Sequence, residues 1–176
     1  VTGMLKRMVR DHLIIKNKNN EVFLTEYGEI SAKEQTKRFR LASKFVHEIL
    51  KIDLKNVFQE AHLLEHAISQ DVENAIEKLL NYPDKDPFGQ DIPGSKKTEK
   101  INIIPLSKTT KNKSYTISKI PPENPEFVDF LHTNKILPGS IITIHEVSDT
   151  RGIINIKINN NSVDLALNVA KTIWVK

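Results

Sequence analysis

The apolar residues of this chain change their period, from helical spacing up to Leu80 to alternation from Tyr115 on, and that change limits the folds open to it. Before it they recur at helical spacing: Met4, Leu5, Met8 and Val9; Leu41, Ala42, Phe45, Val46, Ile49 and Leu50; Val57, Ala61, Leu64 and Ile68. After it they alternate, in Tyr115–Ile120, Ile141–His145 and Ile153–Ile158, with turn formers at Pro138-Gly139, Arg151-Gly152 and Asn159 to Asn161. A helical first half and a β-rich second half make an α+β, multi-domain chain. Between them, residues 81–94 are crowded with proline, glycine and aspartate and must be irregular. The lysine-rich stretch 95–113 reads as a linker.

Finer signals divide the helical half. Residues 2–11 predict a helix, Leu13–Ile15 and Val22–Leu24 two short strands around the polar turn 16–20, and Thr25 the N-cap of a long helix reaching about Lys51. Helix, hairpin, helix is the layout of a winged helix. A helix over 54–68 follows, then another capped by Asp71 and running through Leu80. These two carry more apolar surface, Leu63 included, than one small core needs, and a homodimer would absorb the surplus. In the second half a helix near 125–133 and a last strand at 173–175 complete a small β domain.

Residues 58–68 hold the chemistry. His62, Glu65 and His66 stand at i, i+3 and i+4, so two imidazoles and a carboxylate converge beside one helix face while Val57, Ala61, Leu64 and Ile68 form the packing stripe. There is no cysteine among the 176 residues, so the trio suits a borderline or hard divalent ion rather than Cu⁺. The spacing His62-x-x-Glu65-His66 also spells the inverted zinc-peptidase motif. That reading needs a third protein ligand and a peptide-sized cleft, and no recognisable pattern supplies them; we assign no catalytic residue and no enzyme activity. Charge supports a binding protein: residues 1–50 hold 10 basic against 6 acidic side chains, residues 51–94 hold 4 against 9. A basic start favours a polyanion, an acidic middle with histidines a cation. No apolar run approaches the roughly 20 residues that span a bilayer, and the start lacks the core of a signal peptide, so no membrane partner and a cytoplasmic location are expected.

In order and spacing, several segments resemble the iron- and manganese-dependent repressors related to the diphtheria toxin repressor. Val1-Thr2-x-Met4-x-x-Arg7-Met8 is similar to the recognition helix, Leu24-Thr25-x-x-Gly28 to the exit from the wing, Glu60-Ala61-x-x-x-Glu65-His66 to the metal helix, Pro87-Phe88-Gly89-x-x-Ile92-Pro93-Gly94 to the loop ending the dimerisation domain, and Leu137-Pro138-Gly139 through Ala170-x-x-Ile173-x-Val175 to the SH3-like (FeoA-like) domain. The resemblance implies a partial winged helix-turn-helix at 1–25, a helical metal-binding and dimerisation domain at 26–94, a linker at 95–113 and an SH3-like β domain at 114–176. It also implies that the chain enters inside the recognition helix, without the N-terminal part of the winged helix and the ligand the family's first helix supplies.

By the same resemblance this is a metal-dependent DNA-binding repressor of metal-homeostasis genes. Its corepressor is Fe²⁺ or Mn²⁺, with Zn²⁺, Co²⁺ or Ni²⁺ as surrogates, and its partners are a second copy of itself and double-stranded DNA bearing a palindromic operator. The ion falls to His62, Glu65 and His66, with histidine where the family has Cys or Glu. The family's second ion site corresponds to Phe39, Ser43 and Phe58, none of which can serve, so one ion per subunit is expected. Lys6, Arg7, Arg10, Lys16 and Lys18 are candidates for DNA phosphates and Thr2 for a base edge. The alternative is a metal-independent winged-helix protein.

Overall fold

The structure, a computed structural model, describes residues 2–95, 102–159 and 161–176, and of Thr2 the backbone only. Helix α1 (Thr2–Arg10) leads into an antiparallel hairpin of β1 (Ile14–Lys16) and β2 (Val22–Leu24), with Ile14 opposite Leu24. Asn17 shapes the turn by accepting from the N–H of Asn19 and of Glu21. Thr25 then caps α2 (Glu26–Glu48): its hydroxyl accepts from the Gly28 N–H at 2.9 Å and donates to the His12 carbonyl at 2.6 Å. One side chain thus starts the helix and ties it to the hairpin. Contact here is so close that a Cβ on Gly28 would lie 2.0 Å from the Leu13 carbonyl oxygen.

Helix α2 stops short of Lys51, because that residue takes a left-handed φ of 59° and turns the chain into α3 (Leu54–Glu65). Helix α3 in turn ends at Glu65 rather than Ile68, since the N–H groups of Ala67 and Ile68 both fold back on the Leu64 carbonyl. Helix α4 (Gln70–Leu79) is capped by Ser69, whose Oγ accepts from Val72 N–H at 3.3 Å, and not by Asp71, which lies inside the first turn. It is held on α2 by a small cluster of Leu41, Ile76 and Ile92 and by two ion pairs, Arg38–Glu73 at 2.8 Å and Lys37–Glu77 at 2.7 Å. Among the described residues no helix is long and apolar enough to cross a membrane.

The second half contains β3 (Ile104–Pro105), β4 (Ser114–Lys119), α5 (Pro125–Thr133), β5 (Ile141–Ser148), β6 (Ile153–Ile158), β7 (Asn161–Ala166), α6 (Leu167–Ala170) and β8 (Trp174–Val175). Its antiparallel sheet runs β3-β8-β4-β5-β6-β7. Two elements correct the sequence reading. Residues 104–108 do not belong to a linker: Ile104 pairs with Val175, the Leu106 N–H bonds the Ile173 carbonyl at 2.8 Å, and Leu106 is fully buried. The linker over 96–101 lies outside the described residues. Strand β7 is a full edge strand, burying Val163 and Leu165 against β6, where the run of asparagines reads as turn alone.

The two halves share one core. Val46, Leu54 and Val57 from α2 and α3 join Val128 and Leu131 of α5 and the inner faces of β4, β5 and β6 in a single apolar cluster. Phe88, from the loop after α4, is fully buried in the same cluster, worth about 2–3 kcal/mol of apolar burial. That loop is fastened to β4 by the Ile120 N–H on the Phe88 carbonyl at 3.0 Å and by Asp91, which pairs with Lys119 at 2.5 Å and Lys85 at 2.7 Å. Within it Asp86 accepts from the N–H of Phe88 at 2.9 Å and of Gln90 at 2.8 Å. Burial pushes the Asp86 carboxyl up to about 6, against the opposing pull of those two hydrogen bonds and of the Arg40 and Lys44 charges.

Two outcomes follow from the plug. Gly89 has φ +81° and its missing Cβ would fall 2.0 Å from the Ser118 carbonyl oxygen, so Gly89→Ala should cost at least roughly 1–3 kcal/mol in urea denaturation. Because the folded Asp86 binds its proton more tightly than the unfolded chain does, its contribution to stability is complete below about pH 4 and disappears as pH rises through about 6. Wild type should therefore lose stability relative to Asp86→Asn over that window, by at most about 3 kcal/mol, in paired urea titrations at pH 4 and 7.5.

Candidate metal centre

The last turn of α3 and the residue that caps it hold the trio. Glu65 closes the helix and His66 is its C-cap, with the cap N–H bonded to the Leu64 carbonyl. Partial negative charge gathers at this helix end and favours a cation there. Glu65 is only 5% exposed, yet it opens toward two exposed imidazoles: its Oε1 lies 2.9 Å from His62 Nδ1 and 3.7 Å from His66 Nε2. The imidazole rings stand 5.0 Å apart at 72°, and one donor atom from each of the three residues lies within 4.8 Å of the others. A buried carboxylate is a costly arrangement unless something neutralises it. The second oxygen, Glu65 Oε2, is buried and has no hydrogen-bond partner among the described residues. Two nitrogens and a carboxylate with one oxygen to spare fit a divalent ion; all three expected ligands converge.

One wall of the neighbouring space is aromatic. Phe58, one turn before His62 on α3, meets Phe39 of α2 edge to face at 5.3 Å and 70°. Ser43 is buried and spends its hydroxyl on the Phe39 carbonyl at 2.9 Å, so none of the three offers a free donor atom. Sequence reasoning missed two residues beside this centre: Asp86, whose bonds stay within its loop, and Arg40, whose guanidinium donates to the Asp91 carbonyl 51 residues on, where no local pattern marks them.

The candidate DNA-contacting residues lie elsewhere. Lys6, Arg7 and Arg10 are exposed on α1, and Lys16 and Lys18 on the hairpin; Arg10 pairs with Asp11 at 2.9 Å. The Thr2 side chain lies outside the described residues.

Known proteins resemble the chain along nearly its whole length. Residues 25–94 match the model of the iron dependent repressor, metal binding and dimerisation domain, and residues 104–176 that of the FeoA domain. The iron-dependent repressor IdeR of Mycobacterium tuberculosis is 27% identical over 158 residues, covering 90% of this chain and 67% of the relative. The diphtheria toxin repressor of Corynebacterium diphtheriae is 32% identical over 94 residues, 53% of this chain and 42% of that protein. Among solved structures, a manganese-dependent transcriptional repressor in complex with manganese superposes with a TM-score of 0.89 at 25% identity, over 99% of this chain and 82% of its own. With two family models matched in succession and the same fold throughout, the chain belongs to the iron-dependent repressor family related to the diphtheria toxin repressor.

Proposed function

We propose that this chain is a transcriptional repressor whose grip on DNA is set by one divalent ion, Fe²⁺ or Mn²⁺, held by His62, Glu65 and His66. The observation that carries the reading is the buried Glu65 carboxylate, whose Oε1 faces two exposed imidazoles while its Oε2 has no hydrogen-bond partner among the described residues. When bound, the ion supplies the positive charge that the Glu65 carboxylate otherwise lacks and links donors that thermal motion would let part. The residues do the rest. Glu65 is fixed by burial, His62 is oriented by its hydrogen bond to Oε1, and His66 is positioned by the capped end of α3. The aromatic pair of Phe39 and Phe58 supports a single ion per subunit, because it occupies the adjacent space with groups that cannot ligate.

The same reading divides the chain into the remainder of a winged-helix DNA-binding unit at 1–25, the metal-binding and dimerisation unit at 26–94 and an SH3-like unit that includes 104–113. In it α1 lies toward the major groove of a palindromic operator, with Lys6, Arg7, Arg10, Lys16 and Lys18 toward phosphates, Thr2 toward a base edge and the hairpin as the wing. Leu63 at 68% exposed, Val72 at 45% and Leu79 at 60% form an unpartnered apolar face on α3 and α4 that a second copy would cover. Half-site spacing then depends on how rigidly two such copies are held. A peptidase role does not fit, since Glu65 is buried and bonded to His62 instead of open to a water. Nor are the relatives enzymes.

Manganese titration followed by electron paramagnetic resonance should count one ion per subunit, lost in Glu65→Gln and in His66→Ala; a count of two would overturn the single-ion reading. With DNA fragments enriched from a random pool, affinity should fall at least tenfold on adding chelator. Equal affinity with chelator and with excess Mn²⁺ would refute the switch. Leu63→Glu should shift the dimer toward monomer in light scattering, whereas His66→Ala should leave it intact.

A further inference from the structure

Beside the metal centre, between α2, α3, the loop at 85–91 and the segment entering α5, lies a cleft of about 620 Å³, within the size range of small-molecule sites. The half-buried rings of Phe39 and Phe58 form one wall. Three carboxylates line it, Glu65, Asp86 and Glu123, against one guanidinium, Arg40, which is engaged by the Asp91 carbonyl. Lys44 also acts on Asp86. Asp86 is 5% exposed and lines the cleft, and both its hydrogen bonds land on Oδ1, so Oδ2 has no hydrogen-bond partner among the described residues. Glu65 Oε2 is buried and unpartnered at the same cleft. Such a site repels anions, and a neutral ligand leaves the carboxylate charge uncompensated. A cation with an apolar body satisfies both features, because its charge offsets the desolvated carboxylate while its methylenes and charge meet the aromatic wall.

We propose that this cleft binds an aliphatic ammonium ligand of the short-diamine class, charge toward Asp86 Oδ2 and chain along Phe39 and Phe58. The site itself does not depend on the metal reading. Only its coupling does: because Glu65 lines both, a divalent ion on the trio and an ammonium in the cleft disfavour one another, and the amine opposes the corepressor.

Calorimetry of the full chain, stripped of metal and titrated with 1,4-diaminobutane, tests this. One saturable site per subunit is expected, with no binding of uncharged 1,4-butanediol at matched ionic strength. Asp86→Asn, which keeps an oxygen for the two loop N–H groups, and Phe58→Leu should each weaken binding at least tenfold while retaining the wild-type circular dichroism spectrum. Saturating Mn²⁺ should weaken it severalfold in wild type and leave His66→Ala unaffected. Absence of saturable binding, or equal affinity in Asp86→Asn, would overturn the site. Indifference of wild type to Mn²⁺, where Mn²⁺ binding is itself measured, would overturn the coupling; failure of Mn²⁺ to bind at all would overturn the metal reading and leave the amine site standing. Tighter binding of Nα-acetyl-lysinamide than of the diamine would reject a small free amine as the source.

Discussion

Phe88 is the contact on which the architecture turns. A single ring, delivered by a loop that contributes no regular structure, sits inside the apolar cluster common to the helices and the sheet. Its seat explains the chemistry of the residues around it. Gly89 must take a left-handed φ against the β4 backbone, Asp86 must fold its carboxylate inward to satisfy two loop N–H groups, and Asp91 must bridge two lysines.

The candidate metal centre shows the opposite balance. Its exposed members cost little to place, whereas the buried one is held at a loss: Glu65 gives up water on both oxygens and recovers one hydrogen bond. A fold that retains such a group keeps a standing demand for positive charge at the end of α3. Glu65 shares its face of α3 with the fully buried Ala61 and Val57, one and two turns back, and that packing makes the demand rigid.

What could be read from the sequence was whatever depends on near neighbours along the chain. The trio is legible because i, i+3 and i+4 are adjacent by helix geometry alone, and Thr25 because a cap and its helix are contiguous. Helix ends were less legible: nothing such as glycine or proline marks Glu65 as the last residue of α3, and Ser69 and Asp71 both satisfy a cap pattern, the choice falling to the turn that precedes them. Strand β3 was hidden because its partner lies some 70 residues on, at Trp174 and Val175, and β7 because polar asparagines flank a short alternation. The buried Arg38–Glu73 pair and the inward Asp86 arise from tertiary contact, to which periodicity is blind.

The edge-to-face pair of Phe39 and Phe58 has a bearing on how such a sensor would count. A chain with one donor set titrates along a hyperbola when it acts alone. Any sharpening of its dose response must then be negotiated between copies, and for a pair of chains the Hill coefficient has a ceiling of two. Two rings packed against each other would in that way trade threshold behaviour inside the subunit for a graded readout of metal supply.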